Sequence, residues 1–434
     1  MAAAVLTPGR AAAQTLEQLC DPSYQNCQTQ LLSLINNETV EIDVGLWFMT
    51  DSTFSTPIIK KWQAGVPVRI LMDPREFSQG TQQAADDKTI MNSLQAAGIP
   101  MRKRIASGIE HWKAMIFAGQ QTVYFGSANF SSYAFYPITP YVNYTDETVY
   151  FTNDQSIVQS FMTKFDNAWV DTTNYANYAN VPPTLTRSYP VSPIDPEMNF
   201  VPDQDYATRS VNEYNKETQK IDADMFRITD QRHTNAIINA AGRGIPVRLL
   251  VDPGQYRTAT RLWDAWNVDR LYVTPGITVR QTAHQGENHG KLVLLYGLGE
   301  TIFGSSNWSS PSGESQHEHN YFTTRSNIFN WFVTYFERRW NNSNPVGATE
   351  TVPFTPLPPD KPVYQSPAQG GTGVSTSGVQ LVWDGGPWAH VYDIYFGTSP
   401  DFAKCSLKRE RMPECFVEEN PFFSNNDETA YKQA

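Results

Sequence analysis

One short pattern occurs twice in this chain, and its duplication constrains the fold more than any other feature. Each copy begins with His-x-Lys, continues through an apolar stretch and a turn, and ends in Gly-Ser-x-Asn. The histidine precedes the asparagine by 18 residues in both copies. Matched copies predict two similar structural units that together supply one composite active site. The repeated polar residues are His111, Lys113, Ser127 and Asn129 in the first copy and His289, Lys291, Ser305 and Asn307 in the second.

The similarity extends well beyond the two motifs. Residues 38–51 and 217–230 share Glu, Thr, Ile and Asp at the same places. Apolar runs of strand length alternate with helix-like segments, which predicts an α/β fold with a parallel or mixed sheet and helices on its faces. We therefore predict two α/β/α halves related by a pseudo-twofold axis. Further matched positions are two aspartates before prolines, interpreted as caps, and two glutamates, namely Asp73 and Asp252, and Glu147 and Glu318.

Changes in composition predict the segment boundaries. Ser52 or Thr53 is expected to cap a helix at about 54–64, and a short helix is expected near the start of the chain. A connection rich in Tyr, Asn and Pro is expected to be irregular. The expected segments are a leader with a Cys loop (1–37), the first half (38–171), the irregular connection (172–215), the second half (216–342), a Pro-rich linker (343–362) and a C-terminal module with a polar tail (363–434).

The last segment has a different texture from the two halves. Alternating apolar residues on either side of a turn-rich stretch predict antiparallel strands. Trp383 and Tyr392 are the kind of aromatic pair that fills the core of a small sandwich. Up to about Phe402 the stretch resembles a fibronectin type III module, which implies a small all-β sandwich-like module with no partner indicated. Residues 403–434 are polar and charged, which is typical of a disordered tail.

The acidic composition limits the classes of partner. The 434 residues carry a formal net charge of −11 and a pI near 5.2. This balance argues against a protein that holds nucleic acid by bulk electrostatics, although a locally positive cleft is compatible with it. No apolar run approaches the roughly 18–20 residues that cross a bilayer.

Four cysteines form two near pairs, Cys20 with Cys27 and Cys405 with Cys415. Short loops closed by disulfides fit an oxidising compartment, and four ordinary thiols are the alternative. The N-terminus is Ala-rich and ends in small residues like those before a signal cleavage site, but it lacks a clear apolar region. A clipped signal peptide and a disordered leader both fit. We expect a secreted or periplasmic protein.

The duplicated residues suit an in-line displacement at phosphorus. One imidazole attacks phosphorus to form a phospho-histidine, and the other protonates the leaving oxygen and then activates water. The two lysines and two asparagines surround the non-bridging oxygens, so no metal or other cofactor is expected. Glu147 and Glu318 are placed to hold a histidine ring, with a surface position as the alternative. Ser127 and Ser305 either orient neighbouring groups, contact phosphate or only form turns.

Four histidines of the second half suggest a metal site at first sight. Their spacing is not that of a helical zinc site, and no cysteine lies near them. These residues are His284, His289, His317 and His319. We expect His317 and His319 to share one strand face at the mouth of the cleft. The basic run 102–104 is expected either at the rim of the cleft or at a solvated strand end.

These motifs resemble the phospholipase D superfamily, whose fold is a duplicated α/β unit with one His-x-Lys motif per half. The resemblance covers about residues 38–342. The usual motif has an aspartate five residues after the lysine, where this chain has Ala118 and Tyr296. That departure is similar to the tyrosyl-DNA phosphodiesterase branch. Since the first histidine is commonly the nucleophile in the family, the resemblance implies that His111 attacks and that His289 is the acid.

The sequence supports the reaction more strongly than the substrate. We expect a monomer that hydrolyses, or transfers, a phosphodiester. A phospholipid headgroup is the first choice, because the protein is acidic and looks exported, and it implies contact with a membrane surface. Single-stranded nucleic acid is the alternative, because Tyr and Phe in the loops can stack on bases. A catalytically inactive binding protein is the third hypothesis.

Overall fold

The chain divides after Thr355 into two compact units, Met1–Thr355 and Pro356–Ala434. The first unit contains two eight-stranded mixed sheets with helices packed against them. None of the described helices is long and apolar enough to span a bilayer. The computed structural model describes residues 16–183, 188–260, 262–359, 361–375, 377–378, 382–384, 388–389, 394–396 and 403–405.

The first sheet joins three parallel strands to five antiparallel ones. Its strands are β1 (Glu17–Cys20), β2 (Ile42–Leu46), β3 (Val68–Met72), β4 (Met101–Arg104), β5 (Lys113–Phe117), β6 (Thr122–Gly126), β7 (Val149–Thr152) and β8 (Tyr175–Ala179). The order across the sheet is β1-β7-β6-β5-β2-β3-β4-β8. Strands β2, β3 and β4 are parallel because helical crossovers return the chain between them. The helices of this half are α1 (Gln28–Asn37), α2 (Ser52–Gln63), α3 (Gln82–Ala96), α4 (Ser132–Phe135) and α5 (Gln155–Val170), with a 3₁₀ helix at Pro74–Ser78.

The second sheet repeats the first strand for strand. Its strands are β9 (Met198–Val201), β10 (Ile221–Met225), β11 (Val247–Val251), β12 (Ile277–Thr282), β13 (Lys291–Leu295), β14 (Glu300–Gly304), β15 (Glu318–Thr323) and β16 (Thr351–Pro353). The order is β9-β15-β14-β13-β10-β11-β12-β16, which matches the first sheet position by position. The helices are α6 (Tyr206–Lys216), α7 (Gln231–Gly242), α8 (Pro253–Tyr256), α9 (Leu262–Tyr272), α10 (Ser310–Glu314) and α11 (Ser326–Asn341).

The repeat is longer than the sequence indicated, because its edge strands lie in segments for which no strand was predicted. The leader begins with strand β1 before helix α1. The connection 172–215 contains β8, β9 and most of α6, and the linker 343–362 contributes β16 to the second sheet. These expectations therefore differ from the structure. The edge strands are three to five residues long and weakly patterned, so pairing with a formed sheet, rather than periodicity, determines them.

Aspartates cap the helices that follow the first strand of each parallel set. Asp51 accepts a hydrogen bond from the Thr53 amide at 2.9 Å, and Asp230 accepts one from the Arg232 amide at 2.9 Å. A carboxylate there satisfies a free amide and meets the positive end of the helix. The cap of α2 is therefore Asp51, and the expectation of Ser52 or Thr53 is wrong by one or two residues.

A hydrophobic cluster shared by the two halves joins them into one body. Phe125 of β6 and Phe303 of β14 stack with centroids 6.0 Å apart and 4° between their planes. Tyr150 and Tyr321 stack at 6.1 Å. Each pair joins equivalent residues of the two halves, so the pseudo-twofold axis passes through this core.

Cys20 and Cys27 form a disulfide, which confirms the first of the two expected pairs; Cys415 lies outside the described residues. The described stretches of the second unit form two small antiparallel sheets. These pair β17 (Val363–Ser366) with β18 (Val382–Asp384) and β19 (Ile394–Phe396) with β20 (Ala403–Cys405). Tyr392 also lies outside the described residues. The fibronectin type III-like sandwich stays a prediction.

Candidate active site

The two His-x-Lys motifs occupy equivalent places in the two sheets. Lys113 begins β5 opposite Leu46, and Lys291 begins β13 opposite Met225. Both partners end a parallel strand, so the motifs lie at the carboxyl edge of the sheet, where open α/β folds bind ligands. Each lysine Nζ donates to the carbonyl of the histidine two residues earlier, at 2.9 and 2.8 Å.

Each histidine is held by a glutamate of the opposite half. The Nδ1 atom of His111 lies 2.8 and 2.9 Å from the two carboxylate oxygens of Glu318. The Nδ1 atom of His289 lies 2.9 and 3.0 Å from those of Glu147. With Nδ1 engaged in both rings, Nε2 is the nitrogen left for chemistry. The site is therefore composite, and neither half holds its own histidine.

Backbone contacts between the halves produce this crosswise pairing. The His111 amide donates to the carbonyl of His317 at 3.0 Å, and the His289 amide donates to the carbonyl of Asp146 at 3.1 Å. The residue after each acceptor is the glutamate that binds the neighbouring imidazole. A parallel bridge across the axis thus sets the glutamate and the histidine side by side.

The two serines position the glutamates. Ser127 Oγ donates to the Glu147 carboxylate and accepts from the Thr148 amide at 2.7 Å. Ser305 Oγ donates to Glu318 at 2.5 Å and accepts from the following amide at 3.0 Å. Of the three roles expected for these serines, the geometry fits the orienting role.

Asn129 and Asn307 present unpaired groups to the site. Both side chains are buried, and within the described residues their Oδ1 atoms have no hydrogen-bond partner. A buried amide without a partner costs about 1–3 kcal/mol. Because a carboxamide turns about its last bond, either its oxygen or its NH₂ group can meet a ligand. Each of these two equivalent asparagines can therefore form a hydrogen bond with a polar group of a ligand.

Burial dominates the electrostatics of the imidazoles and ammonium groups. Burial lowers the pKa of His111 and of His289 well below the usual range, and the positive lysines add to the effect. Burial also lowers the pKa of Lys113 to about 7 and that of Lys291 to about 8. The negative charges of Glu147 and Glu318 partly oppose this effect, because they raise the pKa of both lysines. Near neutral pH the free site therefore holds neutral imidazoles and lysines close to their titration points.

Burial raises the pKa of both glutamates, to about 8 for Glu147 and about 7 for Glu318, against the lysines that lower it. A buried Glu–His pair thus prefers to be neutral overall. An anionic phosphate entering the site favours protonated lysines and imidazoles. Among the residues that the structure describes, no cluster of His, Cys, Asp or Glu is arranged to hold a metal ion.

His317 and His319 share one face, as expected, but that face is interior rather than at the cleft mouth. His319 is fully buried, and its ring meets Trp112 edge-on at 5.9 Å. His317 stacks on the same indole at 4.4 Å, and its Nδ1 lies 2.8 Å from Glu110. The sequence showed two polar residues on one strand face, but it did not show that the other half covers that face.

The basic run 102–104 does not form a charged rim. Arg102 and Arg104 are buried, and they donate to the backbone carbonyls of Tyr175 and Gly108 at 2.8 and 2.7 Å. Arg104 thus holds the loop that leads to the first motif, and Arg102 holds the segment between α5 and β8. Both expectations for the run, the rim and the solvated strand end, are wrong.

The aspartates before the prolines support the motif loops, as expected of caps. Asp73 accepts from the Glu110 amide at 2.8 Å, and Asp252 accepts from the Asn288 amide at 3.0 Å. Each carboxylate also caps the helix that follows it. They therefore fix the position of the residue before each histidine.

The two replaced aspartate positions lie far from the chemistry. Ala118 and Tyr296 follow the last residues of β5 and β13, whereas the histidines precede the first. A five-residue strand spans about 16 Å. Tyr296 donates to Asp222 at 2.6 Å at that distant end. The missing aspartates therefore leave the contacts of the His, Lys and Glu cluster intact.

Two residues that follow β10 lie at the site and were not predicted from the sequence. The Phe226 ring lies 4.8 Å from the His289 ring, and Lys291 Nζ lies 5.2 Å from its centre. Arg227, which follows Phe226 and is half-buried, lowers the pKa of both His111 and His289. The first half has Phe48 at the equivalent position, so the repeated pattern of the sequence does not mark this arginine. The signal that marks it is a difference between the two copies directly after a motif-bearing strand pair.

Comparisons with known proteins agree with this geometry. The family described as "Cardiolipin synthase, PLD-like domain" matches residues 31–169 and 211–340. The phosphatidylserine synthase of Haemophilus influenzae Rd KW20 is similar with a TM-score of 0.56 and 11% identity, over 78% of this chain and 87% of that one. The polyphosphate kinase of Porphyromonas gingivalis is similar with a TM-score of 0.51 and 13% identity.

The match to the kinase covers 75% of this chain but 47% of the kinase, so this chain spans about half the length of that relative. A comparison with curated proteins finds no match. At these identities the solved structures establish the fold alone. The family match, in contrast, covers both halves and more than half of the chain. This chain is a member of that phospholipase D-like family.

Proposed function

We propose that this protein hydrolyses or transfers a phosphodiester through a covalent phospho-histidine. The crosswise His–Glu pairing carries the proposal, because it engages Nδ1 of two histidines, one from each half, and leaves both Nε2 atoms for chemistry. Two such imidazoles suit the two sides of an in-line displacement. Family membership supports phosphodiester-transfer chemistry in general.

In the first step, Nε2 of His111 attacks phosphorus, and the bond from phosphorus to the leaving oxygen breaks. His289, protonated once the anionic substrate is bound, gives its Nε2 proton to that oxygen. In the second step, His289 takes a proton from water or an acceptor alcohol, whose oxygen attacks phosphorus and displaces His111. Lys113, Lys291 and the two asparagines stabilise the charge on the non-bridging oxygens.

A phospholipid headgroup is the first-choice substrate of this proposal. Ile138 and Val142 are 70% and 37% exposed on the loop that leads to Glu147. Exposed apolar side chains on a loop connected to the site suit the boundary between headgroups and acyl chains. A transient contact of a secreted or periplasmic monomer with a membrane surface belongs to the same proposal.

Single-stranded nucleic acid is the second candidate, favoured by a different observation. Trp47 and Phe226 are equivalent half-exposed aromatic residues at the carboxyl ends of β2 and β10. Aromatic faces beside a phosphate site can stack on bases, at about 1–3 kcal/mol per base. Hydrolysis of DNA but not of lipid favours this candidate.

The test is hydrolysis of phosphatidylcholine vesicles and, in parallel, of single-stranded DNA, with the full chain in EDTA. We expect the lipid to be cleaved, and each of His111→Ala and His289→Ala to lose about 10⁴-fold or more in rate. Labelled phosphate should be trapped on His111 in the His289→Ala variant, and label trapped on His289 in the His111→Ala variant instead reverses the assigned roles. Binding without cleavage of either substrate supports an inactive binding protein and refutes the proposal.

A further inference from the structure

One cation at the site has no counterpart in the other half. Arg227 follows Phe226, whose amide donates to the carbonyl of Gly290 at 2.9 Å, within the second His-x-Lys motif. The Arg227 carbonyl accepts from the Trp308 amide at 3.1 Å, directly after Asn307. The backbone of Arg227 is thus tied to both motif segments of the second half.

The side chain of Arg227 is also held in place. Its Nε donates to Gln255 Oε1 at 3.2 Å, and its guanidinium carbon lies 5.7 Å from the Phe226 ring centre. Gln255 is fixed in turn, because its amide donates to Asp252 at 2.8 Å. This is a preorganised guanidinium beside the ring that contacts His289 and Lys291.

The equivalent place in the first half carries no positive charge. Phe48 replaces Arg227 there and is buried, and Glu76 replaces Gln255. The Glu76 carboxylate accepts from Gln83 at 2.8 Å. The His, Lys and Asn residues of the site occur in both halves, but the second half adds the cation Arg227. The first half has Phe48 and the carboxyl group of Glu76 at the corresponding places.

We propose that Arg227 binds a non-bridging oxygen of the phosphodiester from the side of the second half, and that this one-sided contact fixes the orientation in which the substrate enters. The inference rests on the proposed function and extends it to a specificity-determining residue. A guanidinium binds phosphate with directed N–H groups, whereas the motif lysines act as point charges. Without Arg227, the two faces of the site offer nearly equal sets of His, Lys and Asn.

The test compares Arg227→Gln and Arg227→Lys with the wild type in the full chain. Arg257→Gln is the matched control, because Arg257 is an exposed arginine on the same half and is not part of the site. We expect Arg227→Gln to lower kcat/KM about 10²-fold and Arg227→Lys to recover part of the loss, as for removal of one donor to a developing charge. The control should stay within about twofold of the wild type.

Two readouts separate phosphate binding from a merely structural role. Titration calorimetry with inorganic phosphate should show affinity at least about tenfold weaker for Arg227→Gln, equivalent to about 1.4 kcal/mol. Trapped label should fall on one histidine in the wild type and on both His111 and His289 in the variant. Unchanged phosphate affinity, or label confined to one histidine in both proteins, overturns the inference.

The two proposals fail in different ways. A wild type that cleaves neither substrate but binds inorganic phosphate in an Arg227-dependent manner refutes the catalytic function and leaves Arg227 as an anion-binding residue. A wild type that cleaves its substrate no faster than Arg227→Gln refutes the role of Arg227 alone.

Discussion

Behind the motif strand, the first half packs an indole ring where the second half packs a carboxylate. Trp112 is the middle residue of the first His-x-Lys, and Gly45 faces it from β2; a Cβ at Gly45 would lie 2.9 Å from the indole. In the second half the two are exchanged. Gly290 is the middle residue, Asp224 faces it, and a Cβ at Gly290 would lie 2.5 Å from the Asp224 carboxylate. Each large group therefore requires glycine opposite it.

The exchange changes the chemistry that supports each motif. In the first half the indole stacks on His317, whose Nδ1 meets Glu110. In the second half Asp224 binds the fully buried Arg339, which also donates to Asp146 at 2.5 Å. An aromatic stack thus supports one motif, and a buried ion network supports the other.

Both supports have the same geometric task. His317 precedes Glu318, and Asp146 precedes Glu147, so each support holds the segment whose glutamate crosses to the opposite histidine. Function therefore constrains the position of the glutamates but not the interior that holds them. The two halves therefore match in their His–Glu contacts but differ in the side chains that support them. Each supporting pair combines one large group with one glycine, in opposite order in the two halves.

The largest loss of stability is expected from disrupting the ion network of the second half, which consists of Arg339, Asp146 and Asp224. Arg339→Met keeps the volume but leaves Asp146 and Asp224 buried without their cation. We expect a loss of about 3–5 kcal/mol in the free energy of unfolding, measured by chemical denaturation. The exposed control Arg257→Met should change it by less than about 0.5 kcal/mol. Equal values for the two variants contradict the network.

The crosswise glutamates are expected to affect different steps. Glu318→Gln should slow formation of the phospho-enzyme, since it alters the nucleophile His111. A nitrophenyl leaving group needs little protonation, so with that substrate Glu147→Gln should slow mainly the breakdown, in which His289 activates water. We expect a loss of about 10²–10³-fold in the affected step, because the amide favours the wrong tautomer. Rapid-quench kinetics with a nitrophenyl phosphodiester separate the steps, and Glu213→Gln is the control. Slowing of the same step in both variants refutes the crosswise assignment.

The aromatic support of the first half predicts an asymmetry between two glycines. Gly45→Ala forces a Cβ against Trp112, and we expect it to lose about 1–3 kcal/mol of stability. Gly242→Ala meets nothing within 4 Å and should be neutral or slightly stabilising. Thermal unfolding of both variants measures the difference. Similar melting temperatures would show that the indole is not tightly packed.

The lysines of the two halves predict the pH profile. Because the pKa of Lys113 is about 7 and that of Lys291 about 8, both lose positive charge as pH rises through this range. We expect kcat/KM to fall about tenfold per pH unit between about pH 7 and pH 8, and about a hundredfold per unit above that, where both lysines have lost their charge. Bound phosphate favours charged lysines, so the fall in kcat should begin at higher pH. A flat kcat/KM up to pH 10 is incompatible with neutralised lysines.

Much of the architecture was predictable because repetition is visible in a sequence. The order of the matched positions predicted two α/β halves, and the alternation of apolar runs predicted their mixed sheets. The edge strands were not predictable, since β8 and β16 lack a strong period and form by pairing with a finished sheet. The cap at Asp51 was missed because neighbouring Ser52 and Thr53 carry the same signal.

The candidate site likewise has features that were predictable from the sequence and features that were not. The chain itself shows which residue types recur and at what spacing, since His, Lys, Asn, Ser and Glu occur as matched pairs in the same order. The folded protein was needed to show that Glu318 contacts His111 and Glu147 contacts His289, that His319 is interior, and that Arg227 has no equivalent in the first half. The reason is physical: spacing along the chain encodes strand and turn geometry, whereas contacts across a pseudo-twofold axis depend on how two folded sheets meet.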